Sequence, residues 1–157
     1  MEKEGDVHPN WDAAIIQRVT KEVMTRIDYR ANSLALMNLC KTLGWAGKRE
    51  EAYRTGMQAV KLAPDNAAIR FEAALASQLY GRTNEAIAQY TRATELDATL
   101  GDAHCGLGVL LEDRGELAEA IAQYRLAVQY GKPANAERDR RNLAQAIEKA
   151  RTAATRN

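Results

Sequence analysis

Glu85–Tyr90 reads EAIAQY, and Glu119–Tyr124 reads EAIAQY again, 34 residues later. Extending outward from these two copies, the chain falls into blocks of 34 beginning at Ser33, Ala67 and Gly101, with no insertion or deletion. Gly47, Gly81 and Gly115 coincide, as do Glu51, Glu85 and Glu119. So do Ala52, Ala86 and Ala120, and again Ala59, Ala93 and Ala127; Leu62 and Leu96 match, with Tyr130 in the third slot. A fixed period in this range is the signature of a stacked repeat. The mid-block glycine separates two helical patterns, where a C-cap with positive φ is cheap for glycine alone. The alanines, and the small residues Cys40, Ala74 and Gly108 seven positions before the glycine, let antiparallel helices approach closely. Tyr90 and Tyr124 supply the large ring between those contacts. Each block therefore reads as a helical hairpin that cannot bury its faces alone and stacks on its neighbours.

Composition agrees. The chain has 157 residues, one domain's worth, with 46% apolar residues but only 6% aromatic; alanine makes up much of the difference and suits close helix packing. Three prolines and the lack of alternating β-branched runs argue against a β protein. Twenty-two Lys and Arg against 21 Asp and Glu leave a charge of +1, so no overall field calls for nucleic acid or a membrane surface. No apolar run is long enough to span a bilayer, and the acidic, polar start MEKEGDVHPNWD lacks a signal-peptide core. Cys40 and Cys105 stand without CxxC or CxxH spacing, which suggests neither disulfides nor zinc. The expectation is a cytoplasmic protein, and the Ala/Arg-rich usage suits a bacterial one.

The repeated residues resemble the tetratricopeptide repeat (TPR). Leu107-Gly108, Ala120, Tyr124 and Ala127 sit where that motif wants them, and Pro64 closes the first block as its terminal proline does. The resemblance covers residues 33–66, 67–100 and 101–134. It implies an all-α protein, a right-handed α-solenoid of three TPR hairpins. Departures are Arg70 and His104 at the usual tryptophan position and Gly56 in place of the large aromatic in block one. Gly56 costs about 1 kcal/mol of helix propensity and is expected to leave a hole for Met57, Trp45 or a flanking helix to fill.

A solenoid needs covers at both ends. Residues 1–9 read as a disordered tail. Residues 10–32 read as an N-terminal amphipathic helix opened by Pro9-Asn10, with Trp11, Ile15, Val19, Val23 and Ile27 every four and Ile16 and Met24 beside them. Residues 10–43 form either one long helix or two hinged near Asn32-Ser33, and the capping residues there favour the hinge. Residues 135–157 read as a C-terminal capping helix, N-capped by Asn135 and running to about Thr155, with Leu143, Ile147, Ala150 and Ala154 as its apolar stripe.

By the same resemblance, the second, fifth, ninth, twelfth and thirteenth residues of each block line a concave groove. These are Leu34, Met37, Lys41, Gly44 and Trp45; Ala68, Phe71, Leu75, Gln78 and Leu79; and Asp102, Cys105, Val109, Glu112 and Asp113. Met37, Trp45, Phe71, Leu75, Leu79, Cys105 and Val109 form an apolar floor, Lys41 and Gln78 are its polar members, and Asp102, Glu112 and Asp113 an acidic rim. A large apolar patch marks something that covers it. Single members can tilt into the core; all seven doing so is hard to sustain. A carboxylate-clamp reading fails, because Met37, Lys41, Glu72, Asp102 and Gly106 occupy the clamp positions and two of them would repel a carboxylate. An EEVD-type tail is therefore excluded. Three coverings remain: a partner protein segment carrying apolar side chains, the chain's own helix 10–31 folded back or swapped, or a symmetric homodimer.

Enzyme chemistry has little to stand on. His8 lies in the tail, His104 takes a packing position, Cys40 sits at a helix contact, and no glycine-rich phosphate loop occurs. No cofactor or metal is implied. Residues 135–157 carry six basic side chains, but they are interleaved with Glu137, Asp139 and Glu148 and lack aromatics for stacking. The expected function is a non-catalytic protein–protein interaction scaffold or adaptor. A narrower reading rests on layout alone: an N-terminal helix, three repeats and a C-terminal helix resemble the class II chaperones of type III secretion, which hold translocators. Two others are a homo-oligomeric assembly scaffold with the groove filled by its own N-terminal helix, and a domain of a longer assembly protein.

Overall fold

The three aligned glycines divide the chain as their chemistry requires. Gly47, Gly81 and Gly115 have φ of 74°, 85° and 81°, and no other described residue has positive φ. At each, the glycine N–H returns to the carbonyl three residues back and the next N–H to the carbonyl five back: Gly47 to Gly44 with Lys48 to Leu43, Gly81 to Gln78 with Arg82 to Ser77, Gly115 to Glu112 with Glu116 to Leu111. This is the Schellman closure, and it reverses the chain within a few residues.

The computed structural model describes residues 17–18, 21–22 and 32–155. Seven α-helices follow Asn32: α1 Ser33–Trp45, α2 Arg49–Leu62, α3 Ala67–Leu79, α4 Thr83–Leu96, α5 Gly101–Asp113, α6 Leu117–Tyr130 and α7 Ala136–Ala154, with a 3₁₀ turn at Pro133–Asn135 before the last. No strand occurs among the described residues. Asn32 begins α1 from an extended backbone, its side chain accepting from the Leu34 and Ala35 N–H groups at 3.1 Å. Asn66 likewise caps α3 through the Ile69 N–H at 3.1 Å. Asn32 is thus the start of the first repeat helix, and residues 23–31, on which the choice between one long helix and a hinge turns, lie outside the described residues. Gln17, Arg18, Lys21 and Glu22 are helical and exposed. The tail 1–9, the rest of the expected helix 10–32 and its stripe Trp11, Ile15, Val19, Val23 and Ile27 lie outside the described residues.

Each helix packs on the next, and α1 also lies against α3. The recurring alanines Ala52, Ala86, Ala120, Ala59, Ala93 and Ala127 are all fully buried, as are Tyr90 and Tyr124. The rings need glycine opposite them. A Cβ on Gly106 would lie 2.5 Å from Tyr90 Cζ, and one on Gly108 would lie 2.8 Å from Tyr124 Cδ1 and Cε1. Block one solves the same contact in reverse. Gly56 leaves no hole: a Cβ there would meet Cys40 Sγ at 3.0 Å and Ala73 Cα at 3.1 Å, so the helices close over the missing ring. Neither Met57 nor the solvent-exposed Trp45 is needed to fill it.

The polar letters of EAIAQY also have structural work. Gln89 accepts from Arg70 Nη1 at 2.7 Å, and Arg70 Nε donates to Pro64 O at 2.8 Å. One period on, His104 joins Gln123 at 2.7 Å and Ala98 O at 3.0 Å. At the usual tryptophan position these side chains thus tie the second helix of their own block to the end of the preceding one. Tyr90 donates to Gln78 at 3.0 Å and Tyr124 to Glu112 at 2.8 Å, twelve residues back in both.

The C-terminal helix departs from expectation in two details. Asn135 stands at the N-cap position without capping; its Nδ2 donates to Asp102 instead, at 2.8 Å. Ile147 points outward, 44% exposed, while Asp139 and Ala146 take the buried face with Leu143 partly buried beside them.

Candidate functional site

The first helices of the three hairpins, α1, α3 and α5, carry the expected groove residues. Apolar side chains on this face divide into two sets. Leu34, Trp45 and Leu79 are open to solvent at 54%, 76% and 48%. Leu79 is next to α1, its Cδ1 3.8 Å from where a Cβ on Gly44 would stand. Met37, Phe71, Leu75 and Val109 are half-buried and packed against core clusters, so each shows one edge. Phe71 also leans on Tyr90, ring centroids 6.1 Å apart at 55°. The surface therefore has protruding members over a floor continuous with the core.

Lys41 rises between these sets. Its Nζ lies 3.7 Å from Glu72 and 5.4 Å from the centre of the Trp45 ring, in cation–π range. Burial pushes the Glu72 carboxyl above its usual range, and the Lys41 charge opposes that shift. Lys41 is thus paired within the protein. Gln78 is half-buried and occupied by the Tyr90 hydroxyl.

Block three is different, and here the structure corrects the expected site. Cys105 is a core residue, 6% exposed, rather than part of an open floor. Asn142 Nδ2 of α7 lies 3.6 Å from its Sγ, and burial raises the thiol's pKa. Nor is the acidic rim free. Asp102 takes Lys132 at 3.4 Å, Arg138 at 3.2 Å and Asn135, while Glu112 is held by Lys149 and the Tyr124 hydroxyl. Only Asp113 of the rim is exposed. The signal for this was in the sequence, as the run of cations Arg138, Arg140, Arg141 and Lys149, but nothing in the 34-residue period pairs them with block three.

His104 and Cys40 are engaged in packing contacts, and His8 lies outside the described residues. Both ring nitrogens of His104 have partners and the residue is buried. Cys40 lies against α3, its thiol pushed up to about 12 by burial first and the Glu72 charge second. Among the described residues no group of three or more His, Cys, Asp or Glu is placed to hold a metal. No helix among them is long and apolar enough to cross a membrane.

No protein-family model matches this sequence, and comparison with curated proteins finds no match. Solved structures do share its fold. The MamA protein superposes with a TM-score of 0.72 at 22% identity, over 85% of this chain and 70% of that one. The Yersinia enterocolitica type III secretion chaperone SycD, solved in complex with a peptide of the translocator YopD, gives 0.67 at 23% identity over 73% and 92%. The Sgt2 TPR domain from Aspergillus fumigatus gives 0.70 at 21% identity over 78% and 82%. The chain is an all-α solenoid with the TPR fold.

Proposed function

We propose that this chain, a TPR solenoid, is a non-catalytic protein–protein interaction scaffold that receives a partner segment on the apolar face of α1 and α3. A fold of this kind supplies a platform; the site on it decides the function. The observation carrying the reading is that Leu34 and Trp45 of α1 and Leu79 of α3 are large apolar side chains held in solvent on two helices that pack together. Tryptophan in that setting is the residue type most enriched where binding energy concentrates. The fitting partner offers apolar side chains to this face and is not a carboxylate tail, because Lys41 is already paired with Glu72. Met37, Phe71, Leu75 and Val109 form the floor, and Glu112 and Cys105 belong to the covered end. The two unpaired cysteines suit a reducing compartment such as the cytoplasm.

A second reading draws on the SycD likeness. SycD's solved complex holds a peptide of the translocator YopD, and a chaperone of that type would shield an apolar segment of a client on the same face. The test for both is capture of co-expressed proteins by the wild-type chain and by a Leu34→Ala/Trp45→Ala/Leu79→Ala variant. These side chains are exposed, so the fold should survive their loss. If they are hot spots worth about 2 kcal/mol or more, affinity for the captured partner falls about thirtyfold or further. A partner bound equally by both chains would refute the groove. Light scattering with and without residues 1–31 addresses the remaining occupants, a homodimer or swapped N-terminal helix: a fall from a dimeric to a monomeric mass on deletion would show that residues 1–31 hold two copies together.

A further inference from the structure

We propose that α7 is a releasable clasp: ion pairs hold it across α5, closing the third repeat, and its release lengthens the open face from two repeats to three. Covered by α7 are Asp102, Cys105 and Glu112, which stand one and two periods after Ala68 and Leu34, Phe71 and Met37, and Gln78 and Gly44. Of those counterparts Leu34 and Ala68 are exposed and Met37, Gly44, Phe71 and Gln78 half-buried, so the covered surface continues a face that blocks one and two leave partly open.

Three features make the closure weak. First, α7 packs along α6 with only a narrow apolar contact: Ala146 is fully buried, Leu143 partly, and Ile147 faces solvent. Second, its grip is carried by charge. The carboxylates are shielded, at 26% exposure for Asp102 and 13% for Glu112, but the cations opposite are open: 78% for Lys132, 43% for Arg138 and 62% for Lys149. Pairs with exposed cations are individually weak and are screened by salt. Third, Asp139 is completely buried, and although Arg138 holds its Oδ1 at 2.8 Å, its Oδ2 has no hydrogen-bond partner. A buried, unpartnered carboxylate oxygen costs free energy that hydration on undocking returns. Elements with few apolar contacts are the ones that open locally, below global unfolding. The segment suited to the opened third repeat carries basic and apolar side chains, replacing Arg138 and Lys149 on Asp102 and Glu112. That consequence for binding rests on the groove reading above; the clasp itself does not.

The two cysteines make the opening measurable. Cys105 lies under α7, whereas Cys40 is buried between α1, α2 and α3, remote in sequence from the clasp. Each thiol's rate of alkylation by iodoacetamide is followed by mass spectrometry at about 0.05 M and about 0.5 M NaCl, between which the screening length falls from roughly 14 Å to roughly 4 Å. Raising salt should speed Cys105 several-fold relative to Cys40. Lys132→Gln/Lys149→Gln, at two exposed side chains, should speed it about tenfold at low salt, and Asp102→Asn similarly. Cys105 labelling unmoved by salt and by the lysine variant would show α7 to be a fixed cap. Cys105 and Cys40 accelerating together would show whole-chain unfolding and equally overturn the clasp. Neither readout uses a partner, so loss of groove binding and loss of the clasp are separate results.

Discussion

Replacing Gly108 with alanine sets two effects of known size against each other. An alanine inside a helix gains about 1 kcal/mol over glycine from backbone entropy. Against this, the new Cβ would lie 2.8 Å from both Cδ1 and Cε1 of Tyr124 and 3.2 Å from Cζ. Those atoms belong to the body of the ring, so a small rotation of its tip gives no relief. Withdrawal is blocked as well, because Tyr124 is fully buried and its hydroxyl is bonded to Glu112, itself held by Lys149. Overpacking of this kind costs about 1–3 kcal/mol, and the restraint on the ring puts Gly108→Ala toward the upper end. The net expectation is a loss of about 1–2 kcal/mol. With a urea slope of about 1–3 kcal/mol per molar for a chain this size, the midpoint moves down by roughly 0.5–1 M. Gly44→Ala is the matched control: its Cβ would have only Leu79 Cδ1 nearby, at 3.8 Å. That variant should gain up to about 1 kcal/mol. A Gly108→Ala midpoint equal to or above wild type would refute the claim that glycine is required under the ring.

Other perturbations test separate parts of the structure. Gly81→Ala meets no atom within 4 Å but must adopt φ near 85°; urea denaturation should show a loss of about 1 kcal/mol from conformation alone, and Gly81→Asn should recover part of it. Gln123→Leu removes the partner of buried His104 and should cost about 1–3 kcal/mol, measured by the same titration. Glu112 is pushed upward by burial, but the bonds from Lys149 and Tyr124 outweigh this and leave its folded pKa below the ordinary value of 4.5. Its contribution is therefore fully present above that value and lost as pH falls through the depressed one. The stability difference between wild type and Glu112→Gln should be largest near neutral pH and should shrink below pH 4.5. A difference constant across that range would mean the carboxylate charge is not what Lys149 and Tyr124 recognise.

The period made the hairpins readable because their contacts are themselves periodic. Gly47, Ala52 and Ala59 meet the same needs as their counterparts 34 and 68 residues on, so identity at a position stood for a physical requirement. Gln89 and Gln123 were visible as letters but not as partners, since Arg70 and His104 opposite them are unlike. What escaped was everything that happens once only. Gly56 looked like a defect, because the closing of Cys40 and Ala73 around it depends on backbone approach rather than on residue type. Cys105 and Glu112 were read as groove residues by extending the repeat, yet α7, which starts about one period after α5 but carries none of the repeated residues, contacts them.

Charge explains why the open face ends where it does. The chain carries nearly balanced charge overall, but the third repeat presents Asp102 and Glu112 just where the first two present Leu34 and Ala68 or Gly44 and Gln78. A shielded carboxylate without a cation is costly, so that end of the array must be matched by something basic. The sequence after Lys132 supplies it in Arg138 and Lys149. The apolar face of α1 and α3 has no such match within the described residues, where Leu34, Trp45 and Leu79 remain in solvent. Among the described residues, one end of the array thus carries its own complement and the other does not, which favours the proposed binding on blocks one and two. Substituting Trp45 should then affect partner capture while leaving the Cys105 labelling rate unchanged.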